Sequence, residues 1–593
     1  MTTVSENRPA NPSVVEAESL LALDIGSVNT RALLFDIVDG RYRFLAAGSA
    51  RSTAGAPYHD VGEGVRQAID DLQRVTGRTL IGADEQILMP TGADGSGIDS
   101  FAVTSSAGPP LGVVVVGLLE NVSLDSAHRL AQTILTGQLE SISLNDRRKA
   151  DERIDRIVAM RPDVIIVAGG TECGASQSLL KLLEAVGLAC YLLPESQRPA
   201  VLYAGNSDLE EEVQSTIGGI CHLQVAPNIR PTLDVEALDP AHTHLVDIYR
   251  RVRTRQIPGF EDLTNRSKGG FVPTATAFGR IIRFLAQATG PKKGVLGVDL
   301  GASAASIISA YQDKLALGVY PEYGLGAGLA KLLNEISLKE ISRWLSLDIA
   351  DLTVRDYLYQ KALYPESLPA TPEDLAIEQA LARVVLRLSL HKAMPGFPAG
   401  IPTVGPGLLP RFEPIVASGG TLGKAPTLAQ SLLMLLDGLQ PTGATTVVLD
   451  QNIIMPALGA AAAINPLAPV QVLDSTAALY LGTVISPAGS SRPGTPILRV
   501  KISYPSGHET TLDVKQGALE VLPLPLGQSA TLRLTPLQRL DVGMDGPGRG
   551  GAVQVHGGAL GVVIDARGRP LVLPEDAGRR RELFSKWMWT LGG

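Results

Sequence analysis

Asp24, Gly26, Ser27, Asn29 and Thr30 stand together in one stretch, Leu20 to Ile37, LLALDIGSVNTRALLFDI. A carboxylate at the end of an apolar run, followed by glycine and small hydroxyl or amide residues, suits a bound phosphate. The glycine lets the chain pass close, the N–H groups and hydroxyls of the turn donate to oxyanions, and the carboxylate can hold a hydrated metal ion. The apolar runs on either side predict a strand, a tight turn and a second strand. An ordinary hairpin with a polar turn has the same pattern.

A second copy separates the two readings. Val295 to Tyr311, VLGVDLGASAASIISAY, repeats the scheme: an apolar strand, Asp299, one apolar residue, Gly301, the small residues Ala302 and Ser303, then another apolar strand. A strand-internal aspartate is costly to bury alone, so two in matched settings point to a shared ligand clamped between two halves. A third stretch, Ile415 to Pro426, IVASGGTLGKAP, is a short apolar run ending in Ser418, Gly419 and Gly420. A predicted helix, Leu428 to Leu439, follows it, so taken alone it reads as a strand-to-helix loop.

Composition bounds what these motifs can serve. At 593 residues and about 150 residues per domain, the chain has room for about four domains. Its 45% hydrophobic and 19% charged residues are those of a globular protein and not of a disordered one. A formal net charge of −8 argues against a general nucleic-acid binder, which needs a basic surface. Cys173, Cys190 and Cys221 form neither a CxxC nor a metal-ligand spacing, and three is a poor disulfide count. They read as buried thiols in a reducing cytoplasm. Residues 1–19 are polar and carry Pro9 and Pro12 but no apolar core, and are expected to be a disordered tail. No apolar stretch suits a membrane span.

Along the chain, Tyr42–Ala47 predicts a third strand, Tyr58–Val75 a helix, Phe101–Ser105 and Leu111–Leu119 strands, and Leu124–Leu139 a helix. Asp163–Ala168 is a buried strand delivering Gly169, Gly170, Thr171 and Glu172 to a loop. Glu172 there is a candidate for orienting water or metal, or simply a solvated loop carboxylate. His242 and His244 could hold one ion from a strand, though no complete ligand set surrounds them. The RRVRTR run after Val246 is a solvated helix face or a dock for an acidic partner. Glycines 324, 326 and 328 open a helix beside the second acidic turn, which suits either anion binding or packing. Residues 341–399 read as a helical insertion, and Pro456–Ile464 as a helix of small residues that permits close helix contact. Beyond Ser475, short strands between Gly and Pro turns predict a separate β-rich domain, closed by a helix in which Trp587 and Trp589 read as core plugs in preference to a partner contact.

In order, the three motifs resemble the first phosphate, second phosphate and adenosine motifs of the superfamily holding actin, sugar kinases and Hsp70. RPDVIIVAGGTECGAS (Arg161 to Ser176), VLYAGNSDLEEEV (Val201 to Val213), TVGPGLLPRFEPIVASGG (Thr403 to Gly420) and MPALGAAAAINP (Met455 to Pro466) narrow the resemblance to the glutamate mutase accessory proteins, MutL or GlmL. These share only a name with the mismatch-repair MutL. The resemblance runs from about Leu20 to Leu473. It implies an α/β fold of duplicated ribonuclease-H-like halves flanking a nucleotide cleft: a first actin-like ATPase lobe over 20–290, a second over 291–474 and the β-rich domain over 475–593. Residues 163–172 become a connecting segment near the cleft, and Pro456–Ile464 the hinge helix.

The resemblance further implies ATP and Mg²⁺ as ligands. Asp24 and Asp299 become the catalytic and metal-holding carboxylates. Gly26, Ser27, Asn29, Thr30, Gly301, Ala302 and Ser303 become the phosphate turns, while Gly419 and Gly420 contact the nucleoside. The implied partner is an adenosylcobalamin-dependent mutase, with a chaperone-like role in the cytoplasm, away from nucleic acid and membranes. Where relatives read DxGGATTD, this chain reads Asp299-Leu300-Gly301-Ala302-Ser303-Ala304-Ala305-Ser306. The missing hydroxyls and closing carboxylate lead us to expect binding with slow or no turnover. Two other functions suit the same fold: a small-molecule kinase or activase, which needs a further aspartate as base, and a non-catalytic scaffold that forms homo-oligomers or filaments as actin does.

Overall fold

The computed structural model describes residues 19–593 apart from positions 175, 268 and 291. The expected tail lies outside the described residues except for Ser19, which is buried with its N–H and hydroxyl on the Asp99 carboxylate. From there the chain runs as β1 (Leu20–Ile25), β2 (Asn29–Val38) and β3 (Arg41–Arg51), an antiparallel meander. Helix α1 (Gly62–Thr76) buries Val65, Ile69 and Leu72 from one face, and β4 (Ser100–Ser105) then lies parallel to β1. β1 is buried at every position, as expected of a strand covered on both faces.

An all-parallel unit is inserted next. Its strands are β5 (Leu111–Gly117), β6 (Thr136–Ser143), β7 (Val164–Val167), β8 (Ala200–Tyr203) and β9 (Leu223–Val225), in the order β6-β5-β7-β8-β9. The helix expected over Leu124–Leu139 covers only Asp125–Ala131 before the chain turns into β6. Thr136 and Gly137 are poor helix formers, and the chain extends from there along the edge of β5. Helix α2 (Gln177–Leu192) packs on this sheet, and α3 (Leu238–Gln256) returns the chain to the first lobe. Then β10 (Phe271–Pro273) completes a first sheet of order β10-β4-β1-β2-β3 and runs directly into α4 (Thr274–Thr289).

The second lobe repeats the plan. β11 (Gly294–Leu300), β12 (Ala305–Tyr311) and β13 (Lys314–Tyr320) form the meander. The helical insertion follows, with α5 (Asp351–Leu363) and α6 (Pro372–Ala393) as its main helices. β14 (Phe412–Ser418) lies parallel to β11 and leads through α7 (Gly420–Gly423) to α8 (Leu428–Gly438). β15 (Gly443–Leu449) lies parallel to β14, and helix α9 (Met455–Ala461) follows it. The core order β13-β12-β11-β14-β15 therefore matches β3-β2-β1-β4-β10 strand for strand, in direction as well as position. This is the duplicated fold expected.

The last part of the chain divides between two sheets. β16 (Leu479–Ser486) continues the second-lobe sheet beyond β15. β17 (Pro496–Ser503), β18 (Glu509–Lys515), β20 (Ser529–Pro536) and β21 (Gly551–His556) form an antiparallel sheet of their own, whereas β19 (Leu519–Leu522) and β22 (Val562–Asp565) rejoin β16. The expected boundary at 475 thus does not separate sheets. Burial explains the division: β16 and β22 are nearly continuously buried, while β17 and β20 alternate between buried and exposed, as a one-sided sheet does.

Helix α10 (Ala577–Thr590) closes the chain. Trp587 plugs the core at 3% exposure, as expected, but Trp589 is 82% exposed and does not. Arg567 of the segment after β22 bridges Asp437 of α8 (2.7 Å) and Asp565 (2.8 Å), all three buried, with the Trp587 ring over its guanidinium. Arg383 of α6 joins the same Asp437 at 2.7 Å, so the C-terminal segment is tied into the second lobe.

Candidate functional site

In each lobe the turn of the first hairpin is closed by one backbone bond: Gly26 N–H to Asn29 C=O (2.9 Å) and Gly301 N–H to Ala304 C=O (3.0 Å). A Cβ at Gly26 would lie 2.8 Å from the Asn29 oxygen, so this turn requires glycine. Leu325 N–H holds the Gly301 carbonyl, and Gly324 and Gly326 lie against the backbone of Ala302. Those glycines therefore serve close packing behind the second turn.

The strand register fixes what surrounds each aspartate. Asp24 pairs with Arg31 across the hairpin and with Thr104 on the parallel side; Asp299 pairs with Ser306 and Ser418 in the same two positions. In the first lobe both neighbours serve the carboxylate. Thr104 donates to Asp24 at 2.8 Å, Thr274 at the start of α4 donates at 3.2 Å, and the Arg31 guanidinium stands 3.5 Å away. In the second lobe Ser306 supplies no cation, and Ser418 turns its hydroxyl to Asp450 instead, at 3.2 Å. Among the described residues no donor reaches the Asp299 carboxylate.

That asymmetry sets the electrostatics. Burial first, then the negative charges of Asp24 and Asp450, push the Asp299 carboxyl up to about 7, opposed by Arg31. Asp450 is raised to about 6 by burial, moderated by the N–H groups of Met455 and Ile454 and by Ser418. Arg31 thus pairs with Asp24 and lowers, at longer range, the carboxyls of Asp299 and Asp450.

A cleft of about 1300 Å³ lies between the lobes. Asp24, Gly26, Ser27 and Asn29 line it from the first lobe, Asp299, Gly301, Ala302 and Ser303 from the second, and Gly419 and Gly420 at the side. Thr30 does not line it. It is buried beneath the hairpin at 1% exposure because the alternation of β2 turns it inward. Arg31, Thr104 and Thr274 are site residues that the sequence does not single out. Only the register of β2 and β4 against β1 reveals the first two.

The helical insertion forms a further wall. Lys361 on α5 and Glu378 on α6, both buried, pair at 3.0 Å and line the cleft. Glu378 also accepts from Tyr357 (2.9 Å) and from Thr421 (3.2 Å), the residue after Gly420. The insertion is thereby fastened to the turn that carries Gly419 and Gly420.

Other candidates lie elsewhere. Glu172 does not reach the cleft: β7 belongs to the inserted sheet, and the carboxylate is held by Ser207 and by Asn228 at 2.7 Å. The segment that joins the first sheet to the cleft is β10 and α4. His242 and His244 lie on α3, where residues two apart point to different faces, and His242 instead meets Thr276 at 3.2 Å. No group of three or more His, Cys, Asp or Glu able to hold a metal occurs among the described residues. Magnesium usually keeps several waters and takes one or two carboxylates plus phosphates. Asp299, ringed by negative charge and without a donor, fits such a cation. Among the described residues no helix is long and apolar enough to cross a membrane.

Behind the cleft, α4 crosses α9. A Cβ on Gly459 would fall 1.8 Å from the Ala277 carbonyl oxygen, so only glycine permits this crossing. Two matched lobes, an acidic hairpin from each and crossing helices behind define a protein of the actin-like ATPase class. A family model described as MutL protein matches residues 20–477. The chain belongs to that family, the glutamate mutase accessory MutL proteins.

No curated protein matches the sequence. Among solved structures, a nucleotide-free acetone carboxylase is 12% identical over 86% of this chain and 82% of its own, with a TM-score of 0.31. The ethanolamine utilization protein EutJ of Carboxydothermus hydrogenoformans is 10% identical over 77% and 91%, at 0.26. The ATP-dependent caprolactamase of Pseudomonas jessenii is 11% identical over 84% and 81%, at 0.26. These scores are too low to bear on function, and the fold rests on the strand orders above.

Proposed function

We propose that the chain is an ATP-binding accessory protein of an adenosylcobalamin-dependent glutamate mutase, a two-lobed switch that hydrolyses ATP slowly or not at all. One observation carries this reading: Asp24 and Asp299, from matched turns of the two lobes, line a single cleft and lie close enough for one to raise the pKa of the other. A triphosphate seated there takes the N–H groups of Ser27 and Val28 and of Ala302 and Ser303, those of Gly26 and Gly301 being held within their own turns, while Asp24 and Asp299 would hold the hydrated Mg²⁺. Such an ion, held by a carboxylate from each lobe, would supply positive charge beside the phosphates. Arg31 offsets the remaining negative charge, and Gly419 and Gly420, which line the cleft, receive the nucleoside.

Bound nucleotide favours the closed form, and a partner that prefers one form is bound and released accordingly. Slow turnover follows from the second turn, where Ala302, Ala304 and Ala305 offer no hydroxyl. The test is calorimetric titration with Mg-ATP, followed by capture of a purified cobalamin mutase with and without nucleotide. Hydrolysis as brisk as a sugar kinase's, or absence of nucleotide affinity, would contradict the proposal.

A further inference from the structure

The two helices that cross behind the cleft each start on a carboxylate. α4 begins at Thr274, whose hydroxyl rests on Asp24 of the first phosphate turn. α9 begins at Met455, whose N–H binds Asp450 at 2.9 Å, as does that of Ile454. Asp450 is fully buried and does not line the cleft, so it is out of reach of a ligand there.

Apart from the Ile453 N–H on its carbonyl at 3.4 Å, its other bonds run toward the nucleoside turn. The Ser418 hydroxyl, one residue before Gly419, donates to the same carboxylate at 3.2 Å. Asp450 N–H binds Ala417 C=O at 2.8 Å. Gly423, at the end of α7, closes on the Asp450 carbonyl so that a Cβ would stand 3.3 Å from it. Between Asp450 and α9, Ile453 holds φ at 55°, a left-handed conformation that a β-branched residue avoids, and its side chain lines the cleft. A plain helix cap needs neither the link to Ser418 nor the strained isoleucine.

We propose that Asp450 is a positioning residue that couples occupancy of the nucleoside turn to the crossing of α9 over α4. This rests on the nucleotide-binding reading. A nucleoside against Gly419 and Gly420 fixes Ser418, Ser418 fixes the Asp450 carboxylate, and the carboxylate sets the first turn of α9 against the strain at Ile453. Without the carboxylate, the first turn of α9 relaxes through Ile453 and no longer follows the cleft.

The experiment is hydrogen–deuterium exchange of the full chain with and without Mg-ATP. It compares wild type with Asp450→Ala, Asp450→Asn and Ser418→Ala. In wild type the amides of α9, and those of α4 beneath it, slow by about tenfold on adding nucleotide. In Asp450→Ala that ratio falls to about twofold, while amides 24–30 and 299–306 still slow, which reports bound nucleotide. Asp450→Asn, which keeps a carbonyl acceptor, restores most of the ratio, and Ser418→Ala lowers it. A cap of purely structural importance would speed exchange in α9 equally in both states and leave the ratio unchanged. A wild-type ratio in Asp450→Ala, or in Ser418→Ala should the former not fold, overturns the inference. Absence of protection anywhere in the wild type overturns the nucleotide reading, and this inference with it.

Discussion

Gly459 of α9 lies over the carbonyl of Ala277 in α4 with no room for a methyl group between them, since a Cβ would come to 1.8 Å from the oxygen. The helix that joins the lobes and the helix that crosses it therefore meet backbone to backbone at this position, which limits how closely they pack. Gly459→Ala must separate the helices. Overpacking of this kind costs about 1–3 kcal/mol, and we expect a lower unfolding temperature and weaker nucleotide binding together. An unchanged melting profile would show that the crossing yields easily.

The neighbouring glycines Gly419 and Gly420, proposed to receive the nucleoside, should behave differently. Gly419 has φ of 105°, and a Cβ there would lie 2.3 Å from the Leu300 carbonyl, whereas Gly420 has open space around its Cβ and an ordinary φ. Gly419→Ala is expected to damage folding. Gly420→Ala should fold with wild-type thermal stability but weaken Mg-ATP about tenfold, because the methyl occupies ligand space. Equal affinity in Gly420→Ala would remove that residue from the site.

The pattern of two acidic turns and a glycine pair was legible in the sequence because strand, aspartate and glycine are local signals. Thr30 turns into the core because a one-residue alternation in β2 decides which way a side chain faces, and the turn's local pattern does not report it. Arg31 and Thr104 reach Asp24 only through strand pairing, which no local pattern reports. Glu172 sits in a glycine loop after a buried strand, as a cleft residue would, but its strand belongs to the inserted sheet. The division of the C-terminal strands between two sheets likewise depends on long-range pairing of β16 with β22. Trp587 and Trp589 sit two apart on one helix, so one of them had to face away from the core.

Acid stability carries the mark of the carboxylate cluster. Asp299 is raised from 3.8 to about 7 and Asp450 from 3.8 to about 6, burial being the main cause in both. Between about pH 4 and pH 7 the folded chain holds protons that the unfolded chain has released. The contribution of these groups therefore favours the fold at the acidic end and is lost as pH rises through the folded values. In the ligand-free protein, Asp299→Asn should remove part of this decline, so its advantage over wild type grows between pH 5 and pH 7.5 by at most about 1.4 kcal/mol per pH unit. Parallel unfolding-temperature profiles of the two proteins would contradict the charge crowding.

Asp565 has the opposite sign. Burial would raise its carboxyl, but Arg567 and Arg569 outweigh burial and hold it well below the usual range, so its stabilisation is present at neutral pH and lost only in strong acid. Arg567→Ala leaves Asp437 and Asp565 buried with one cation fewer, at a cost of about 3–5 kcal/mol. We expect early unfolding of α10, seen as a shift in Trp587 fluorescence, at temperatures where the wild type is intact. Coincident melting of α10 in both proteins would show that this network is dispensable.

The most direct measurement is titration of the ligand-free chain with Mg-ATP, beside Asp24→Asn, Asp299→Asn and wild type in excess chelator. The two acidic turns acting on one ligand predict saturable binding by the wild type, and a loss of about tenfold or more in each variant and on removal of the ion. Wild-type affinity in either variant would mean that the paired aspartates do not share a nucleotide.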